Sequence, residues 1–379
     1  MQKGDPDRAN MQDATRVVRA GLMSPAQGAP FNPGPVFAAA YHATGEPSAV
    51  PYTYGRYHNP TWTAYEQALG ELEGGEALVF GSGMAAVTAV LGSVLRPGDV
   101  VVMPSDSYYT ARVLVNDYFA NQGIEVRRAP TAGGAQREHL SGSRLLWLES
   151  PTNPGLDVCD LPQLTEAAHL AGALVAVDNT TATPLGQRPL SFGVDFSVAS
   201  DTKALTGHAD LVLGHVAVRD HAWHQQLRAW RMQTGSIAGP MEVWLALRSL
   251  PTLDIRLERQ CANALGIASY LASDPEVESV RYPGLNADPA YALACAQMHR
   301  FGTVLTFTLP TRQHAERFLA ASQLVTEATS FGGVHTTAER RARWGGDAVP
   351  EGFIRLSAGC EALPDLLSDI EAALHRAAT

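Results

Sequence analysis

Apolar positions along the chain follow two rhythms, one of helical spacing and one of short uninterrupted runs, and the two trade places repeatedly. A helical pattern runs from Tyr65 through Leu72, and the run Leu78-Val79-Phe80 that follows reads as a strand. Gly81-Ser82-Gly83 then breaks the chain before a second helical run, Met84 to Leu95. The whole stretch Ala77 to Leu95 carries no charge and has the length of a membrane span, but the glycine break divides it into a buried strand, a tight turn and a buried helix. Further strands are predicted at Val100 to Met103, Leu145 to Leu148 and Leu174 to Val177, with a helix around Leu164 to Leu170. Such alternation predicts an α/β fold with a mostly parallel sheet covered by helices on both faces, and ligands at the carboxyl ends of the strands.

The rhythm changes past Leu245. A long charged helix from Asp254 to Leu271, a strand near Thr303 to Leu309 and a closing helix from Pro364 describe a smaller α+β unit. The first fifty residues, with Pro25, Pro30, Pro33, Gly34 and Pro35, read as an extended arm. The expected division is an arm over 1–50, a large domain over 51–245 and a small domain over 246–379.

Composition narrows the function classes. With 379 residues and 45% hydrophobic content the chain can bury a large core. The net charge of −10, without a run of Lys or Arg, argues against a nucleic-acid or anionic-membrane surface, so an anionic ligand must be held by local groups. Cys159, Cys261, Cys295 and Cys360 are scattered singly, which fits neither a zinc site nor a disulfide scaffold. Met1 to Asn10 lacks the hydrophobic centre of a signal peptide, so a reducing, cytoplasmic location is expected.

Chemistry concentrates at two places. Gly81-Ser-Gly-Met-Ala-Ala86 lies where a strand gives way to a helix, so free backbone amides and the helix dipole favour a bound phosphate. The same segment matches G-x-G-x-x-A, and Asp106 follows a strand, so a dinucleotide-binding dehydrogenase competes. The second place is Ala173-Leu-Val-Ala-Val-Asp178, followed by Ser200-Asp-Thr-Lys203. A carboxylate ending a buried strand and a lysine between small residues suit pyridoxal 5'-phosphate: Asp178 would pair with the ring nitrogen and Lys203 would bond to the aldehyde. An ordinary loop cap and a surface lysine are the bland alternatives.

The ordered motifs Tyr54-Gly-Arg56-Tyr-His-Asn59, Leu72-Glu-Gly-Gly75, Ser82-Gly-Met84, Glu149-Ser-Pro-Thr-Asn153-Pro154, Val177-Asp178-Asn-Thr, Ser200-Asp-Thr-Lys203, Gly207-His208-Ala-Asp210 and Arg355-Leu-Ser-Ala-Gly359 together resemble the Cys/Met-metabolism family of pyridoxal-phosphate enzymes. That family includes cystathionine γ-lyases, methionine γ-lyases and cystathionine γ-synthases. The resemblance implies fold type I. It also implies that Gly83, Met84, Ser200 and Thr202 hold the cofactor phosphate, with Tyr54 and Arg56 reaching a neighbouring subunit's cofactor. Tyr108 would stack on the ring and serve the leaving group, Asn153 would contact the phenolic oxygen, and Ser330 and Arg355 would grip the substrate carboxylate. A homo-oligomer, a dimer of active dimers with shared sites, follows from the same resemblance.

Two departures from the family pattern bear on substrate choice. Tyr109-Thr110 stands where many relatives have two small residues, and His335 where many have an acidic one. A histidine there lacks the carboxylate that could attract the distal ammonium of cystathionine, so methionine-like substrates are expected to compete well. The expected reaction is γ-elimination from cystathionine or methionine to 2-oxobutyrate, ammonia and a thiol. A γ-synthase uses the same residues, and a dehydrogenase or a catalytically silent subunit is the rival from another class.

Overall fold

The computed structural model describes residues 11–22 and 26–378; Met1 to Asn10 and Pro25 of the expected arm lie outside them. Seven strands form the main sheet: β1 (Glu76–Phe80), β2 (Val100–Pro104), β3 (Glu125–Ala129), β4 (Leu145–Glu149), β5 (Leu174–Asp178), β6 (Phe196–Ala199) and β7 (Gly214–Val218). Their order is β1-β7-β6-β5-β4-β2-β3, and β7 alone runs against its neighbours. Every residue of β2 and β4 is buried, which is why these strands read as unbroken apolar runs. Edge strand β3, with Arg127 and Arg128, carries no such run and is invisible to that reading. The uncharged stretch from Ala77 resolves into β1, the turn and the helix Gly83–Val94, and among the described residues no helix is long and apolar enough to cross a membrane.

A second sheet contains β8 (Ser279–Arg281), β9 (Val304–Thr308), β10 (Thr326–Glu327), β11 (Thr337–Arg340) and β12 (Phe353–Ser357), in the order β10-β11-β12-β9-β8. It packs with the helices Leu253–Leu271, Arg312–Ala321 and Leu363–Ala378 around Leu305, Phe307, Phe318, Ile354 and Ile370. The arm departs from a wholly extended reading. Its helix Asp13–Arg19 buries Val17 against a core that contains Trp62, Tyr65 and Leu72. Residues 26–46 have no helix and remain largely exposed.

The helix Leu253–Leu271 fixes the two sheets around the future site. Arg256 Nη1 donates to Ala204 O at 2.7 Å and its Nη2 to Leu205 O at 3.1 Å, immediately after Lys203. One turn on, Gln260 Nε2 donates to Gly333 O at 2.7 Å. Gly332, at φ 82°, lies so close that a Cβ there would stand 2.5 Å from Ala204 N, so only glycine lets the loop 330–333 reach the lysine turn.

Candidate active site

A cavity of about 500 Å³ opens at the carboxyl ends of β4 and β5 and is closed from the other side by the second sheet. Ten of the twelve residues expected from sequence line it: Gly83, Met84, Tyr108, Asn153, Asp178, Ser200, Thr202, Lys203, Ser330 and Arg355. Tyr54 and Arg56 do not. Arg56 sits over the rings of Tyr54 and Tyr57 at 5.6 and 5.0 Å and donates from Nη1 to Met232 O, at the end of the helix His221–Thr234.

On the main-sheet side, the helix Gly83–Val94 begins in the cavity wall. Ser82 caps it by accepting from Ala85 N at 3.0 Å, and Ser82 O takes Ala86 N, which leaves the amides of Gly83 and Met84 as the free donors of the first turn. Ser200 packs directly on Gly83, and its hydroxyl makes no hydrogen bond among the described residues. Thr202 differs from expectation: its Oγ1 donates to Leu213 O at 3.1 Å, so its one proton is already committed.

Two carboxylates lie side by side, because Glu149 and Asp178 are register partners at the ends of β4 and β5. Glu149 accepts from Tyr108 N at 2.8 Å and Asn153 N at 2.7 Å, yet burial and the adjacent Asp178 push its pKa well above the usual range. Asp178 accepts from Thr180 N at 3.0 Å; burial raises its pKa too, against the pull of that bond, Lys203 and His215. Two buried acids with so few donors suit a cationic partner. Together with the free amides of the helix turn, the Ser200 hydroxyl and Lys203, this donor set fits a group with a phosphate at one end and a protonated ring nitrogen at the other.

Lys203 is pulled down to about 8, first by burial and then by the guanidinium of Arg355. Its Nζ donates to Ser330 Oγ at 2.7 Å. Arg355, on β12, is itself 4% exposed and donates to Asn153 Oδ1 at 2.7 Å, to Ser330 O at 3.0 Å and to Glu339 Oε1 at 2.5 Å. Burial draws its pKa down to about 10 although Glu339 opposes the shift. Ser330 adopts φ 81°, an unfavourable backbone setting for a residue with a Cβ, where its hydroxyl faces one cation and its carbonyl the other.

Several residues here were missed from sequence. Glu339 takes Arg341, Arg343 and Trp344 as well as Arg355, and Asp347 joins Arg341 to Arg112 of the main-sheet unit. Arg341, Trp344 and Gly346 thus roof the cavity, beside Tyr109 and Thr110. The run Glu339-Arg-Arg-Ala-Arg343 has the charge density of a solvated surface, which hid it. His335, expected from the sequence to lack the carboxylate that would attract a distal ammonium, is exposed and does not line the cavity of its own chain. Asp106 accepts from Thr131 N and Oγ1 at 3.1 and 2.9 Å, holding the turn after β3, and is no ribose ligand in the cavity.

A family model described as Cys/Met metabolism PLP-dependent enzyme matches residues 14–375. Over 367 residues the chain is 58% identical to a putative cystathionine gamma-lyase of Streptomyces coelicolor, covering 96% of this chain and 93% of that one. The methionine gamma lyase of Micromonospora echinospora superposes with a TM-score of 0.90 at 38% identity, covering 97% and 100% of the two chains. The cystathionine gamma synthase of Xanthomonas oryzae pv. oryzae, in complex with cystathionine, gives 0.93 at 35%, covering 97% and 99%. With a sheet order and a cavity that accommodate the cofactor these relatives need, the chain belongs to the Cys/Met-metabolism family of pyridoxal-phosphate-dependent enzymes, built on fold type I.

Proposed function

We propose that the chain is a carbon–sulfur lyase that performs γ-elimination on L-cystathionine, with L-methionine as a second substrate: cystathionine and water give cysteine, 2-oxobutyrate and ammonia. The observation that carries this reading is the bridge Lys203–Ser330–Arg355, which sets a proton-moving amine beside a carboxylate-binding fork. Arg355 takes the substrate's α-carboxylate, exchanging Asn153 and Ser330 for it, while Glu339 keeps the guanidinium oriented. Lys203, drawn down to about 8, removes the proton from Cα and then one from Cβ near neutral pH, so that the electron pair left at Cβ expels the thiolate from Cγ. Bound pyridoxal phosphate supplies the electron sink for both carbanions. Asp178 holds the ring nitrogen, Gly83, Met84 and Ser200 hold the phosphate, and Thr202 joins them only if its hydroxyl turns from Leu213 O. Tyr108, at the mouth, orients or protonates the departing thiolate. The name of the 58% identical relative supports elimination from cystathionine over replacement.

Tyr54 and Arg56 lie outside the cavity of their own chain, and the family resemblance of their motif supports action on the cofactor of a second copy. The enzyme is assayed for 2-oxobutyrate with cystathionine, methionine and an activated homoserine ester, each with and without cysteine. Release of 2-oxobutyrate from cystathionine alone supports the lyase. Formation of cystathionine from the ester and cysteine, with no 2-oxobutyrate from cystathionine, overturns it in favour of a γ-synthase.

A further inference from the structure

Outside the residues that line the cavity, a group of metal-ligating side chains is left unused by this chemistry. His221 and His224 lie one turn apart at the start of the helix His221–Thr234, and Glu76 begins β1, the edge strand paired with β7 through Glu76 and Val218. One ligand atom from each of the three falls within 4.8 Å of the others. We propose that Glu76, His221 and His224 form a site for a divalent transition-metal ion, Zn²⁺ or a close analogue such as Co²⁺ or Ni²⁺.

The spacing of each histidine from Glu76 is what such an ion requires. Bonds of about 2.0–2.1 Å in tetrahedral geometry separate neighbouring ligand atoms by roughly 3.3 Å. His221 Nδ1 stands 2.9 and 3.1 Å from the two Glu76 oxygens, and His224 Nδ1 stands 3.4 Å from Oε2. The imidazole rings are stacked, with centroids 5.8 Å apart and planes at 19°. His224 Nδ1 is buried without a hydrogen-bond partner, so no protein group competes for it as a ligand atom. Gln225 Nε2 lies 3.0 Å from His221 Nε2, and with the amide flipped its Oε1 would accept the Nε2–H that ligation through Nδ1 leaves, orienting the ring from behind. Two nitrogens and one carboxylate suit zinc, cobalt or nickel, whereas calcium and magnesium need an all-oxygen shell. Asp220 caps the helix by accepting from Ala222 N at 2.8 Å, so the two histidines project from a fixed turn. A bound ion would tie edge strand β1, which leads into the phosphate-binding turn, to the helix after β7.

The test uses tag-free holoenzyme and Zn²⁺ alone, titrated against a chromophoric chelator. The parent should bind one ion per chain. Glu76→Gln, His221→Ala and His224→Ala should each weaken binding at least about tenfold, since loss of even a supporting partner costs that much. Cys295→Ser should leave it unchanged. Zn²⁺ should raise the melting temperature of the parent and not of His224→Ala, while Co²⁺ should give a visible d–d band. Stoichiometric binding that survives His221→Ala and His224→Ala, or no binding above chelator competition, overturns the site.

Discussion

Lys203 Nζ donates a 2.7 Å hydrogen bond to Ser330 Oγ, so the reactive amine is held by a residue of the opposite sheet's loop before any substrate enters. Only the unprotonated amine attacks an aldehyde, and this amine titrates near about 8 because burial and Arg355 disfavour its charge. The rate at which apoenzyme captures pyridoxal phosphate covalently should therefore rise with pH and level off just above 8, well before the usual lysine value of about 10.4. Arg355→Ala removes one cause of the depression and should move the midpoint upward. Rapid-mixing absorbance against pH measures both; an unmoved midpoint in Arg355→Ala would reject the proposed coupling.

Removal of either cation should separate cofactor binding from substrate binding. Lys203→Ala should abolish turnover yet leave a folded enzyme that retains pyridoxal phosphate non-covalently, because the free amides of the Gly83 turn do not depend on the lysine. Arg355→Ala should lower kcat/KM by about 2–5 kcal/mol, some 30-fold to several thousandfold, with cofactor content preserved. Equal loss of cofactor in both variants, read by absorbance and equilibrium dialysis, would show a common structural collapse instead.

Arg56 is bound within its own chain to Met232 O and to two tyrosine rings, outside the cavity lined by Lys203. If it serves a neighbouring subunit, inactive Arg56→Ala and inactive Lys203→Ala chains should regain activity when refolded together, since a hybrid dimer contains one site with both groups intact. About a quarter of parental activity per dimer is the ceiling for random pairing of equal amounts. Mixed oligomers with no activity would place the action of Arg56 within its own subunit.

The main sheet was legible where burial on both faces gives continuous apolar runs, as in β2 and β4. It was not legible at β7, which contains Gly214 and His215, or at β3 with its two arginines. At the site, strand ends and the glycine turn announced Asp178 and Gly83 from local pattern. Glu339 and Asp347 were silent because their meaning lies in partners such as Arg355 and Arg112, which are brought in from elsewhere in the chain. At His335 the sequence showed a departure from the family pattern but not its setting, because the side chain is exposed while Thr336 beside it is buried.

Substrate selection should accordingly be indifferent to His335. His335→Glu should alter the ratio of kcat/KM for cystathionine and methionine by less than about twofold, because an exposed charge outside the cavity acts through screening solvent. Asp347→Asn, which loosens Arg112 and Arg341 together, should change that ratio more. Parallel assays of 2-oxobutyrate decide between them; a large effect of His335→Glu and none of Asp347→Asn would return specificity to position 335.

Beneath the lysine turn, His215 is wholly buried between two carboxylates, 2.5 Å from Asp201 Oδ1 and 3.1 Å from Glu73 Oε1, and Tyr65 donates to the other Asp201 oxygen at 3.0 Å. Burial alone would lower its proton affinity, but Asp201, joined by Glu73, outweighs it and raises the pKa to about 10. A histidine whose folded value exceeds its unfolded value of about 6.5 adds stability in full below that pH, and the contribution fades as pH climbs toward 10. His215→Asn removes the cation and leaves two buried acids facing each other, a loss of about 3–5 kcal/mol at pH 6. The gap between parent and variant should narrow steadily from pH 6.5 to 10, as read by thermal or urea unfolding of the holoenzyme. Because Asp201 precedes Lys203 by two residues, the variant should also release pyridoxal phosphate faster on dilution. A His215→Asn protein with parental stability at pH 6, or a gap that does not change with pH, would mean that His215 is neutral in the folded chain and that the network is held by hydrogen bonds alone.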